Sequence, residues 1–90
     1  ELGDVQHNYG WFLCERSQFA RGQDELKRAL AQPGYAHAVK TWAVLGECQQ
    51  RAGQMAQAQN SWRAALALEP DNPVLRQRLV DAAAASHSVE

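Results

Sequence analysis

Two cysteines and three histidines are the residues of this sequence suited to metal binding, redox chemistry or catalysis. Cys14 and Cys48 stand 34 residues apart, and no CxxC pair or Cys/His spacing typical of zinc accompanies them. His7, His37 and His87 are scattered along the chain, so the sequence predicts neither a metal site nor a catalytic dyad. From residue type alone, the cysteines are either two buried thiols that act as small hydrophobes or the two halves of a disulfide.

No other pattern predicts catalysis. The sequence has no Gly-rich phosphate loop, nucleophile elbow or pair of facing carboxylates, so we expect no enzyme, no catalytic residues, no metal and no cofactor. The net charge of −1 gives no reason to expect nucleic acid as a partner. No apolar run approaches the ~20 residues of a membrane span, so we expect no direct membrane insertion. Because the sequence begins at Glu1 without methionine, we expect a processed or excised piece of a longer protein.

The stretch 42–70 predicts the structural unit on which these residues are placed. It contains the spacings W-x2-L-G and A-x3-W-x2-A and then a proline, carried by Trp42, Leu45, Gly46, Ala58, Trp62, Ala65 and Pro70. This stretch resembles the tetratricopeptide repeat, a 34-residue helix-turn-helix unit with the signature W-x2-L-G…A-x3-F…P. Gln49 stands where the signature prefers tyrosine, and Trp62 replaces its phenylalanine with another large aromatic ring.

Helical geometry gives this spacing a physical reason. Gly46 lies beside the apolar face of a first helix and leaves space for a second helix to cross it. Ala58 and Ala65 allow that second helix to approach closely, and Trp62 fills the gap between them. Gly53 separates the two helices.

The first half of the chain repeats the pattern with a period of 36 residues, the distance from Gly10 to Gly46. The predicted core of this first repeat consists of Tyr9, Gly10, Leu13, Gly22, Leu26 and Ala29. Ser17 takes the turn position of Gly53. We place the two residues in excess of the 34-residue unit in a longer connection at about 31–36, where the sequence has a Pro-Gly pair.

These patterns predict an all-α fold, a tetratricopeptide-repeat α-solenoid in one domain over residues 1–90. It would have two helix-turn-helix repeats, at about 3–36 and 37–70, and a C-terminal capping or half-repeat helix. The five helices are predicted, without any strand, at 4–16, 18–31, 37–52, 55–69 and 73–85. Asp4 and Asn72 are predicted to cap the first and last of them, and residues 86–90 to fray. Because a repeat cannot bury its own faces, we expect further repeats to flank this piece.

A second resemblance goes beyond the repeat pattern. The heptapeptide N-Y-G-W-F-L-C at 8–14 and the Leu45-Gly46-Glu47-Cys48 segment resemble the type IV pilus biogenesis and stability lipoproteins, the PilF/PilW pilotin family. The longer connection with Pro33 and Tyr35 agrees, and the resemblance covers about 4–72. It implies an outer-membrane lipoprotein that faces the periplasm, carries several such repeats and helps the secretin pore to assemble or localise. The lipidated cysteine of that family would lie upstream of this piece.

The periplasmic location implied by the resemblance would permit Cys14 and Cys48 to form a disulfide. The aligned glycines place both cysteines on the first helices of consecutive repeats, which run side by side. We therefore expect Cα atoms closer than about 7 Å. Buried free thiols remain the alternative.

Stacked repeats would leave their first helices lining a concave groove for a protein or peptide partner, such as the secretin or another pilus component. Helical spacing predicts the groove residues as Asp4, His7, Asn8, Trp11, Glu15, Lys40, Ala43, Glu47, Gln50, Arg51, Gln77 and Asp81. Trp11 is the large aromatic among polar neighbours, and it is interpreted either as an interface anchor or as a contact with an upstream repeat. Arg76 and Arg78 are predicted on a solvated face.

The alternative function is a tetratricopeptide adaptor of unrelated, cytoplasmic role that binds a peptide in its groove. Chaperone-type modules of this kind grip a terminal carboxylate with several Lys, Arg and Asn residues. Here Asn8, Lys40 and Arg51 alternate with the acidic Asp4, Glu15 and Glu47, which fits that chemistry poorly. A lipid-modified cysteine upstream would favour the pilus assignment, and a cytosolic start the adaptor.

Overall fold

The computed structural model describes residues 1–87, with side chains to residue 85, and has five helices in that range. They are α1 (Leu2–Glu15), α2 (Phe19–Leu30), α3 (Ala38–Arg51), α4 (Met55–Leu68) and α5 (Pro73–His87). No strand occurs within residues 1–87, so the all-α prediction is confirmed, and every helix end lies within two residues of its predicted place. The three-residue connections 16–18 and 52–54 pair α1 with α2 and α3 with α4 as helical hairpins, and α2 packs on α3 and α4 on α5.

The core of the second hairpin is built around Trp62, of which only 1% is exposed. Its indole N–H donates to the carbonyl oxygen of Ala43, 3.2 Å away. A Cβ atom added to Gly46 would clash with the indole ring, so this glycine allows α3 and α4 to cross at contact distance. In the first hairpin a Cβ on Gly10 would lie 2.8 Å from Cγ of Leu26. A glycine therefore allows α1 and α2 to cross closely in the same way, 36 residues earlier.

Two buried clusters form along the helices. One joins Cys14, Leu26, Leu45 and Cys48 across α1, α2 and α3, and the other joins Ala58, Trp62, Ala65, Leu75 and Ala82 across α4 and α5. Trp42 is half-buried and packs against both clusters. The core is therefore continuous along the stack of helices.

The turn inside each hairpin has the same backbone geometry. Ser17 and Gly53 both have positive φ angles, 64° and 79°. In each turn this residue donates its N–H to the carbonyl three residues back, and the next residue donates to the carbonyl five residues back. The sequence prediction that Ser17 takes the place of Gly53 is confirmed.

Replacing Ser17 with glycine should stabilise the chain by about 0.5–1 kcal/mol. A non-glycine residue at positive φ costs about 1–2 kcal/mol. Glycine removes this cost, but its larger loss of backbone entropy on folding offsets about half of the stabilisation. The matched control is Gln18→Gly, because Gln18 has a φ of −90° and gains nothing from the substitution. Urea denaturation of the variants measures the difference, and equal or opposite shifts would contradict the strain argument.

The start of α5 follows the predicted capping chemistry. Asn72 Oδ1 accepts hydrogen bonds from the backbone N–H groups of Val74 and Leu75, at 3.0 and 3.1 Å, and Pro73 is the first helical residue. Leu75 and Ala82 then bury α5 against α4. The helix continues to His87, so the fraying predicted at 86–90 is wrong for its first two residues, and the rest of that prediction lies outside the described residues.

Three other predictions are corrected. Asp4 does not cap α1, because the helix begins at Leu2 and Asp4 lies in its first turn. Tyr9 is not part of the core: it is 42% exposed, and its hydroxyl accepts a hydrogen bond from Arg21 Nη2 at 2.9 Å. Pro70 was predicted as a core residue of the second repeat, but it is exposed in the connection between α4 and α5. Among residues 1–87, no helix is long and apolar enough to cross a membrane.

Candidate functional site

Cys14 and Cys48 form a disulfide between α1 and α3. Their Cα atoms lie 5.6 Å apart, within the limit of about 7 Å predicted from the sequence. Both residues are almost fully buried, and a Cβ on Gly22 would clash with Cys14 Sγ, so the small residue makes room for the sulfur. The two hairpins are thus joined covalently along the line where their first helices meet.

A hydrogen-bonded cluster joins the same two helices nearer the N-terminus of α1. Nδ1 of His7 lies 2.7 Å from Oγ1 of Thr41, and the Tyr35 hydroxyl lies 2.8 Å from the same atom. The Thr41 hydroxyl also donates to the carbonyl of His37 at 3.1 Å. His7 is 7% exposed, so the prediction of an open groove residue is wrong: its ring is enclosed by the α1–α3 contact.

The connection 31–37 holds the N-terminal end of α1. Tyr35 packs on Gly3, where a Cβ would clash with its ring, and Gln32 donates to the Gln6 side chain at 3.1 Å. Asp4 Oδ1 lies 2.8 Å from Nδ1 of His37, with both side chains partly exposed. The prediction that this connection is the longer one is confirmed. Through these contacts the connection fixes α1 to α3.

A depression of about 330 Å³ opens over this cluster; we call it the His7 depression. Its lining consists of Asp4, His7, Asn8, Tyr35, His37 and Lys40. Four of these were predicted as groove residues. Tyr35 and His37 were missed as lining residues, because they belong to a connection whose path across α1 cannot be obtained from helical spacing.

A second cleft, of about 400 Å³, lies between α3 and α5. The predicted groove residues Lys40, Ala43 and Glu47 line it together with Val39, Glu69, Asn72, Val74, Leu75 and Arg78. Arg78 was predicted on a solvated face. Instead its Nη2 pairs with Glu47 Oε1 at 3.0 Å, and its guanidinium lies 5.7 Å from the centre of the Trp62 ring. Arg76 is exposed, as expected, and donates to the carbonyl of Pro70.

The remaining groove residues are divided between contacts along the same face. Trp11 is half-buried against the disulfide cluster, and the Arg51 guanidinium covers its ring at 4.9 Å from the centroid. Gln77 Nε2 donates to Asp81 Oδ1 at 2.9 Å on α5. Glu15 and Gln50 are exposed. The face of α1, α3 and α5 is therefore mainly polar, with an apolar cleft at its α5 end.

Among residues 1–87, no group of three or more His, Cys, Asp or Glu side chains is arranged to hold a metal ion. The aromatic and basic residues Trp11, Arg51 and Arg78 are of the kind that dominates protein interfaces. The α3–α5 cleft is lined by four apolar residues beside its polar ones: Val39, Ala43, Val74 and Leu75.

His7 should make the protein less stable in mild acid. Burial lowers the pKa of His7 from its ordinary value of 6.5, and the nearby Lys40 lowers this pKa further, whereas Asp4 raises it. The unfolded chain therefore takes up a proton at a pH where folded His7 remains neutral. The stability that His7 contributes is complete above pH 6.5 and is lost as the pH falls from there toward the folded pKa. Urea denaturation between pH 7.5 and 5 measures this slope. His7→Gln should flatten this slope, so an unchanged slope in His7→Gln would contradict the assignment.

Comparison with known proteins gives little more. An uncharacterized protein of Haemophilus influenzae (strain ATCC 51907 / DSM 11121 / KW20 / Rd) is 36% identical over 53 residues, which are 59% of this chain and 30% of that protein. The match thus spans less than a third of the length of that relative. No protein-family model and no solved structure matches the chain.

Proposed function

We propose that this chain is part of a tetratricopeptide-repeat scaffold that binds a protein segment on the face of α1, α3 and α5. We further propose that it belongs to a type IV pilus pilotin of the PilF/PilW kind. In this role it assists assembly of the secretin from the periplasmic side of the outer membrane. The α3–α5 cleft is the observation that carries the binding role.

The repeat assignment is supported by equivalent positions in three helices. Thr41 and Cys48 on α3 are buried toward the preceding hairpin, and Leu75 and Ala82, which lie 34 residues later on α5, are buried in the same way. This interval equals the length of the tetratricopeptide unit. The crossings at Gly10 and Gly46 add a second periodic feature.

The α1 helix supports the expectation of flanking repeats. Its stripe of exposed apolar residues is Leu2, Val5, Tyr9 and Phe12, with 42–61% of each exposed. By the 36-residue period, the last three correspond to Thr41, Leu45 and Cys48, which are buried. A further helical hairpin stacked on α1 would cover this stripe as the first hairpin covers α3.

The disulfide supports an oxidising compartment. Buried structural disulfides persist in the periplasm and are rare in the reducing cytosol. A cytoplasmic adaptor would not gain stability from Cys14 and Cys48 in this way. Localisation of the native protein by cell fractionation, with and without a mutated lipid-attachment cysteine upstream, separates the two compartments.

Binding of this chain to the purified secretin tests the proposed role. Val74 lines the α3–α5 cleft and is 61% exposed, whereas Val80 is 62% exposed on the same helix and does not line the cleft. We expect Val74→Glu to weaken secretin binding about five- to thirty-fold, the effect of one important interface residue, and Val80→Glu to leave it unchanged. Absence of wild-type binding would overturn the secretin assignment. An equal loss of secretin affinity in both variants would indicate that the binding site lies outside the cleft.

A further inference from the structure

The state of the His7 ring follows from counting hydrogen bonds at Thr41. A hydroxyl has one donor and two acceptor positions. The Thr41 hydroxyl uses its donor on the carbonyl of His37, so it accepts from both the Tyr35 hydroxyl and Nδ1 of His7. His7 therefore carries its proton on Nδ1 when neutral. Its Nε2 atom is then a bare acceptor.

Nε2 of His7 is the unused group of the His7 depression. The ring is more than nine-tenths buried, and no hydrogen bond to Nε2 occurs among the described residues. No buried side-chain nitrogen or oxygen in that part of the chain lacks a partner, so Nε2 keeps some solvent-accessible surface, and His7 is one of the residues that line the depression. A polar group of a bound molecule can therefore contact it.

The charged residues that line the depression are Lys40 and Asp4. Lys40 lines it and forms no ion pair within residues 1–87. The Asp4 carboxylate is hydrogen-bonded to His37, which balances its charge only when the imidazole is protonated, whereas Glu47 further along the face is paired with Arg78. A carboxylate in the depression would be attracted by the Lys40 ammonium, and it would be repelled less by Asp4 when His37 is protonated.

We propose that the His7 depression binds a carboxylate of the partner segment between Nε2 of His7 and the ammonium of Lys40, and that one proton from solvent binds Nε2 in the same step. This inference rests on the proposed function, because the carboxylate belongs to the bound segment. A bare Nε2 lone pair would repel a carboxylate, whereas protonated Nε2 donates a charge-assisted hydrogen bond to it. The amide of Asn8 on the same rim can donate a further hydrogen bond.

The groups that face His7 determine how binding depends on pH. They are Asp4 on α1, Tyr35 and His37 on the connection, and Lys40 on α3. Lys40 and a protonated His37 oppose the charge on free His7, and Asp4 favours it. A bound carboxylate compensates that cost, so the affinity rises as the pH falls, by up to about tenfold per pH unit for one proton.

Calorimetry with a defined probe tests the proposal. The probe is acetyl-Leu-Glu-Leu-amide, with acetyl-Leu-Gln-Leu-amide as the uncharged match. We expect the Glu peptide to bind with uptake of one proton, seen as different apparent heats in buffers of different ionisation enthalpy. It should tighten by up to about tenfold per pH unit below pH 7.5, whereas the Gln peptide should bind at least about tenfold more weakly without a pH effect.

Variants assign the effect to the two residues. Lys40→Gln should weaken the Glu peptide about tenfold or more, and Lys27→Gln, at an exposed lysine of α2, should not. His7→Gln should remove proton uptake. Since that variant could also loosen the α1–α3 contact, nitrogen NMR of wild-type His7 gives an independent readout, with a proton on Nδ1 in the free protein and on both nitrogens in the complex.

Equal binding of both peptides, binding without proton uptake, or a free His7 with its proton on Nε2 would each overturn the carboxylate site. So would failure of the Glu peptide to bind at pH 6. Binding of the secretin tests the scaffold role independently. If the secretin binds while any of these results is obtained, the proposed scaffold role stands and only the carboxylate site is rejected.

Discussion

Replacing Trp62 with alanine is expected to lower the free energy of unfolding by about 3–5 kcal/mol, the usual cost of truncating a buried aromatic residue. The ring is 1% exposed, its N–H donates to Ala43, and it fills the space that Gly46 leaves open. The α3–α4 crossing cannot close over the vacancy without moving both helices. Since a domain typically has only about 5–15 kcal/mol in total, the variant should be near its unfolding limit at room temperature.

Urea denaturation of the Trp62→Ala chain measures this loss. Arg63→Ala is the control, because Arg63 is the next residue on α4 and makes only an exposed hydrogen bond to Asn60. We expect a change within about 0.5 kcal/mol for this surface substitution. A loss below about 1 kcal/mol for Trp62→Ala would mean that the crossing does not depend on the ring.

Removing the disulfide should be the second large effect, at about 3–4 kcal/mol. The bond closes a loop of 34 residues and so restricts the unfolded chain, which is the main source of stabilisation in the chain-entropy account. For a domain of this size the melting temperature should fall by more than about 10 °C. The double variant Cys14→Ala/Cys48→Ala, in which both sulfurs are gone, is the direct measurement.

Reductant provides the matched control for the disulfide. It should lower the melting temperature of the wild-type chain and leave that of the double variant unchanged, because only the former has a bond to break. Mass spectrometry after alkylation should find two modified thiols only when reduction precedes it. Two thiols that react in the unfolded chain without reduction would contradict the bond, and a wild-type melt insensitive to complete reduction would contradict its contribution to stability.

The hairpins were predictable from sequence because their determinants are local. A glycine where two helices cross, a large aromatic between small residues and a turn residue at positive φ act over distances of a few residues. Gly46, Trp62, Gly53 and Ser17 were each assigned in this way, and the structure agrees. The predicted Asn72 cap also depends on residues that directly follow it.

The binding face was predictable only in part. Helical spacing identified which residues share a side of each first helix, but it could not show which of them would be enclosed by a neighbour. His7 was predicted to be open and is buried against Thr41, whereas Tyr9 was predicted to be buried and is exposed on α1. Both errors concern the contact of a helix with what lies beside it, and spacing within one helix carries no information about that contact.

The five helices, the two hairpins and their crossings follow from the amino-acid sequence, because they depend on spacing, small residues and turn chemistry within short segments. The sequence also brought the cysteines to adjacent helices through the 36-residue period. Which charged side chains remain without an ion-pair partner depends on the packing of the helices. The pairs Asp4–His37 and Glu47–Arg78 join residues that are 33 and 31 positions apart in the sequence. Each of these acidic groups thus has a partner on another element, whereas Lys40 forms no ion pair within the described chain. Pairing of this kind depends on distances between elements, which the packing of the hairpins sets and the order of residues does not.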